Sequence, residues 1–152
     1  MRNRLAIGLT LGIFGAVLLG AYVCGYAPET VKGSVRAEGT AEGSVAFAVT
    51  DCLSGHVLWP SFSGAALRGD GGLELRVAGS GDGARLSLYP KGVDHGAIQF
   101  GKNDCSRWDV DVVGGQGMVN RTVSTVDGHV RVACRAVAGS MTADVDFANC
   151  RE

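Results

Sequence analysis

The stretch Val123–Cys150, VSTVDGHVRVACRAVAGSMTADVDFANC, constrains the fold more than any other, because its apolar residues recur at every second position. Val130, Val132 and Cys134 fall on one side of an extended chain, and Met141, Ala143, Val145 and Phe147 fall on one side of the next run. A helix would scatter these residues around its axis, whereas a strand gathers them onto one face. Asp127-Gly128 lies between two such runs and reads as a two-residue hairpin turn, whose central positions both need positive φ. A second turn is expected at Ala138-Gly139-Ser140. The stretch then reads as a three-stranded antiparallel meander in which Ala136 opposes Met141 and Arg131 opposes Asp146.

The same period of two recurs upstream. Val45, Phe47 and Val49 alternate in GSVAFAVTDC, as do Leu73, Leu75 and Val77, then Leu86 and Leu88, then Ile98 and Phe100, then Trp108, Val110 and Val112. Val57 and Trp59 are followed by Pro60, which donates no ladder hydrogen bond and marks an edge or a bulge. With 24 glycines and 7% aromatic residues, the chain favours many turns over long helices. The expected fold is all-β, a small antiparallel sandwich or barrel of about eight or nine short strands. Its core is expected to be Val45, Phe47, Leu75, Leu88, Trp108, Val110, Val132, Val145 and Phe147. Glu74, Arg76, Asp109, Asp111, Arg131, Arg135, Asp144 and Asp146 alternate with the apolar set and are expected to face water.

Residues 1–26 carry the charge order of an export segment: Arg2 and Arg4 precede an apolar run from Leu5 to Cys24. That run reaches the roughly 20 residues that span a bilayer. Three outcomes follow, namely a retained anchor, cleavage after Gly25, or lipidation at Cys24. Residues 27–42, with Pro28 and several Gly and Thr, read as a flexible linker in preference to an edge strand, for which Val31, Val35 and Ala37 alternate only weakly. Residues 43–152 form the β domain.

The remaining cysteines, Cys52, Cys105, Cys134 and Cys150, are even in number and far apart in sequence, which suits disulfides in an oxidising compartment better than the close pairs of a zinc site. On the meander described above, Cys134 and Cys150 lie roughly 23 Å apart along the strands, beyond the Cα limit near 7 Å for a disulfide. A chain reversal at Gly114–Met118 places Cys105 at the Asp127 end as well. The expected bonds are therefore Cys52–Cys134 and Cys105–Cys150.

Taken together, the leader with Cys24 at its end and the strand pattern resemble the small exported β-sandwich lipoproteins of bacterial envelopes. Ala21-Tyr22-Val23 departs from the usual lipoprotein signal, which has Leu three residues before the Cys and a small residue just before it. The resemblance implies a bacterial, membrane-attached protein on the periplasmic or extracellular side.

Chemistry is sparse. A net charge of −1 with 19% charged residues supplies no basic field for nucleic acid. His56, His95 and His129 are the only histidines; Asp51 and Asp94 lie near the first two, so a small hydrolase or metal-dependent enzyme would use His56 or His95 with a nearby Asp. Ser80, between glycines in a turn, lacks the strand-to-helix setting of a nucleophile elbow. Asp70 and Asp82 in glycine turns lack the ligand count of a calcium loop. Asn120-Arg121-Thr122 is a glycosylation sequon, of consequence only in a eukaryotic secretory pathway. No cofactor or metal site is expected. The expected function is that of a non-enzymatic envelope or surface module, binding a protein or envelope polymer or lending structure.

Overall fold

Alternating apolar runs too short to fold alone bury their faces here against one another. The computed structural model describes residues 28–41, 43–58, 62–90, 93, 96–114, 118–119, 122–123 and 125–151. The leader with Cys24, the Trp59-Pro60 pair, Asp94, His95 and Asn120 lie outside the described residues.

The strands are β1 (Thr30–Thr40), β2 (Gly43–Ala48), β3 (Asp51–Ser54), β4 (Gly64–Arg68), β5 (Glu74–Ala78), β6 (Arg85–Tyr89), β7 (Ile98–Phe100), β8 (Cys105–Gly114), β9 (Met118–Val119), β10 (Thr122–Val123), β11 (Val126–Ala136) and β12 (Gly139–Cys150). One five-stranded sheet runs β2-β1-β12-β11-β8, a second runs β3-β4-β5-β6-β7, and β9 pairs only with β10. All their ladders are antiparallel. The chain crosses between the large sheets after β2 and again after β7.

A single apolar cluster draws on both sheets. Leu67, Leu75, Leu86 and Leu88 from the second sheet are fully buried, as are Val130 and Val145 from the first. Each such side chain contributes about 1.5–3 kcal/mol relative to exposure. Phe47, Val110, Val132 and Phe147 are also buried, as their alternation implies, while Val45 and Trp108 pack half-buried at the margin. Trp108 lies there because its Nε1 donates to the carbonyl of Gly81 at 3.0 Å, in the turn between β5 and β6.

Four expectations are corrected. Residues 30–40 are not a spacer: β1 lies inside the first sheet between β2 and β12, with Val35 and Ala37 buried. The apolar face of β1 is interrupted by Gly33, which obscures its alternation. Glycine is needed there, since φ is +132° and a Cβ would stand 2.0 Å from the carbonyl oxygen of Asp144.

Asp127-Gly128 is not a turn. Both residues lie within β11, where the register against β12 shifts at a bulge. The Asp127 carboxylate accepts from the backbone N–H of Asn149 at 2.6 Å. Gly128 is small because a Cβ would meet the carbonyl oxygen of Asp111 at 2.1 Å. The β11–β12 register is offset by two residues from the expected one: Ala136 opposes Gly139, and Arg131 opposes Asp144 while reaching Asp146 on the diagonal.

The cystines pair differently from the expectation. Cys52 joins Cys150 with Cα atoms 5.1 Å apart, and Cys105 joins Cys134. The expected pairing rested on an extra strand between β8 and β11. Instead these two strands are direct neighbours, with Cys105 opposite Cys134 at the end remote from Asp127. Cys150 still pairs with Val126 in the first sheet, just beyond the bulge at which Asn149 adopts φ +55°, and from there it bonds to Cys52 on β3. Arg151 then bridges to Leu53, and its carbonyl accepts from Ser54 N–H.

The two bonds close loops of unequal length, with sequence separations of 98 and 29 residues. Chain-entropy arguments assign them about 4.7 and about 3.6 kcal/mol. Replacing both cysteines of Cys52–Cys150 with serine is expected to lower the denaturation midpoint more than the same change at Cys105–Cys134. Non-reducing peptide mapping is expected to return these two pairs.

Candidate functional site

The outer faces and edges of the two sheets carry the polar chemistry. On the second sheet, Asp51, Arg68, Glu74 and Tyr89 form one cross-strand row, and Leu53, Ala66, Arg76, Ser87 and Gln99 form the next. Glu74, expected in water, is only 4% exposed. Its Oε2 accepts from Arg68 Nε at 2.8 Å and its Oε1 from Arg76 Nε at 2.5 Å. Both carboxylate oxygens are therefore charge-paired, which is the condition for burying the group.

Arg76 is held from either side. Its guanidinium carbon lies 5.0 Å from the Tyr89 ring centroid and 5.8 Å from that of Phe62. Phe62 reaches this place because the chain after β3 folds back, with Phe62 N–H donating to the carbonyl of Gly55 at 3.0 Å. The Phe62 ring lies close against Gly55, where a Cβ would stand 2.8 Å from it. The alternation rule placed Glu74 outward correctly; what it could not register is that Arg68, brought alongside on β4, and Arg76 both pair with it there.

On the outer face of the first sheet Arg131 stands among three carboxylates. Its Nη1 is 3.7 Å from Asp109, its Nε is 3.6 Å from Asp144, and its Nη2 contacts Asp146. His129 Nε2 lies 2.8 Å from Asp109 Oδ1. The hydrogen bond with His129 holds the Asp109 carboxyl below its ordinary pKa; partial desolvation opposes this, and the positive fields of His129, Arg131 and Arg107 add to the lowering. These carboxylates are more than half exposed. The network lies on an open strand surface rather than in a concave pocket.

The histidines read as candidates do not converge with their acids. Asp51 begins β3 and His56 sits exposed in the 3-10 turn beyond its other end, roughly 15 Å away at the usual strand rise. His95 and Asp94 lie outside the described residues. Ser80 pins the β5–β6 turn to β8: its hydroxyl donates to Asp111 and accepts from Val112 N–H, both at 3.0 Å. Asp82 pairs with Lys102 at 2.5 Å, and Asp70 lies in the turn at the opposite end of the second sheet. Among the described residues no three His, Cys, Asp or Glu side chains are grouped to hold a metal ion. Two shallow clefts, of about 530 and 620 Å³, flank the Asp82–Lys102 pair and the Cys105–Cys134 bond, and among the described residues no histidine lines either.

Comparison of the chain with known protein families, with characterised proteins and with solved structures finds no match in any of the three.

Two outcomes follow from these faces. Glu74→Ala leaves two guanidiniums without their counter-ion and is expected to cost about 3 kcal/mol, the low end for a broken buried pair because Arg68 is partly solvated; chemical denaturation measures it. Because the pKa of Asp109 is lowered on folding, its contribution to stability is present above the ordinary carboxylate range and is lost as pH falls through the depressed value. His129→Ala is expected to raise that pKa, which carboxyl NMR titration reads directly.

Proposed function

We propose that the protein is an exported, membrane-attached module of the bacterial envelope that works by binding, or by lending structure at the surface, and not by catalysis. The observation that carries the reading is the pair of cystines, Cys52–Cys150 and Cys105–Cys134, because such bonds persist in oxidising compartments. The charge order of residues 1–26 agrees with it.

The attachment is close. Only residues 27–29 separate that segment from β1, a reach of about 10 Å. Glu29 Oε1 accepts from Cys52 N–H at 3.3 Å, and the Pro28 carbonyl accepts from Asn149 Nδ2 at 3.2 Å, so the chain entering the domain is tied to the end bearing Cys52–Cys150. The domain therefore stands directly on its attachment point, and its charged sheet faces and strand edges are what it presents to a protein or envelope-polymer partner.

Fractionation tests the reading. The protein is expected in the membrane fraction, with Cys52, Cys105, Cys134 and Cys150 resistant to alkylation until reduced. A wholly soluble mature chain beginning near Tyr26 would overturn attachment. Cys24→Ser is expected to release the protein if attachment is through lipid and to leave it bound if the apolar segment itself spans the bilayer.

A further inference from the structure

Two five-stranded sheets leave four edges, and three of them are blunted. The β3 edge is occupied by Arg151, which bridges to Leu53 and takes Ser54 N–H. The β8 edge is capped by Ser80 on Val112 N–H and carries Arg107, Asp109 and Asp111. The β7 edge is three residues long. Such devices prevent strands from pairing with other chains.

The remaining edge, β2, has none of them among the described residues. Its sequence GSVAFA contains no charge and no proline. Val49 N–H donates to the Gly33 carbonyl, so Val45, Phe47 and Val49 direct their backbone groups toward β1. By the same alternation, Ser44, Ala46 and Ala48 direct theirs away from the sheet. At the Ala48 end Gly69 stands against its carbonyl and the Phe47 ring. The open groups are thus those of Ser44 and Ala46, and both side chains are exposed and small.

We propose that β2 is the surface through which two copies of this chain associate, edge to edge and antiparallel, about a two-fold axis at Val45. That axis sets Ser44 opposite the partner's Ala46 twice over, giving four backbone hydrogen bonds. It also sets Val45 against the partner's Val45, extending both cores, since Val45 is only half-buried in the single chain. A second copy fits better than a foreign segment for two reasons. A two-fold axis brings a strand's own charges close to themselves, and β2 is the one long edge that carries none. A foreign segment gains specificity from side-chain pockets, and Ser44 and Ala46 shape none. The inference stands on the edge itself and does not depend on export or membrane attachment.

The test uses the full chain in detergent, with Cys24→Ser in the background so that Cys24 forms no adventitious cross-link. Light scattering is expected to give a particle of two chains. Ser44→Lys/Ala46→Lys sets lysine opposite lysine at both pairs and is expected to weaken association by at least about tenfold while thermal unfolding of the domain is retained. Val45→Cys is expected to form a covalent dimer under mild oxidation, and Ser34→Cys, on the outer face of β1, is not. A single-chain particle at all concentrations would overturn the proposal, as would a double-lysine variant that still pairs or a Val45→Cys chain that cross-links no better than Ser34→Cys. A single chain that instead takes up an unrelated extended peptide along β2 would also overturn it.

Discussion

The structure depends on a junction where the end of the last strand, still paired in one sheet, is bonded to the other. Asn149 at φ +55° forms the bulge there, a conformation that an L-residue other than Asn or Asp adopts at a cost. Asp127 holds it by accepting Asn149 N–H, and the Pro28 carbonyl holds its side chain. Cys150 can then reach Cys52 across the interface, and Arg151 can cover the β3 edge. Since β12 is paired on both sides by β1 and β11, fixing its end to β3 fixes the two sheets relative to each other. The entry of the chain is caught at the same place, because Glu29 accepts from Cys52 N–H.

The two outer faces handle charge in opposite ways. On the second sheet Phe62, seated close to Gly55, and Tyr89 both lie near the Arg76 guanidinium, which pairs with a buried carboxylate. Burial there is sustained by complete pairing of Glu74, and the charged groups act as part of the packing. On the first sheet Arg131, His129 and three aspartates remain in contact with water, which screens each pair so that it contributes little. That face influences stability chiefly through pH and salt, and it leaves an open charged surface.

Edges divide in the same manner. The sheet edges that could pair promiscuously are covered by Arg151, covered by a turn carrying Ser80, or short. These protections are built from residues far apart in sequence, so β2 becomes conspicuous only when all four edges are compared in space.

The all-β class, the absence of helical periodicity beyond the leader, most of the core and the presence of two cystines were legible in the residues alone, because period-two alternation and cysteine number are local properties. Phe47, Leu75, Leu88, Val110, Val132, Val145 and Phe147 lie where alternation places them. The strand at 30–40 was hidden by Gly33, whose role is a close approach to Asp144 that exists only across β12. Asp127-Gly128 has the composition of a turn, yet a local signal does not reveal that Asp127 answers to Asn149 or that Gly128 makes room for Asp111. From that single misplaced turn the wrong strand neighbour and the wrong cystine pairing follow, since both depend on which strand lies beside which; the two-residue offset between β11 and β12 comes instead from their connection, which turns at Val137-Ala138 and not at Ala138-Gly139-Ser140. Burial of Glu74 likewise required knowing that Arg68, on the neighbouring strand, joins Arg76 in pairing with it. Sequence by itself determined which residues are extended and which side each faces; tertiary structure alone decided neighbours, register, cross-links and covered faces, because these are set by contacts between distant segments that no local pattern encodes.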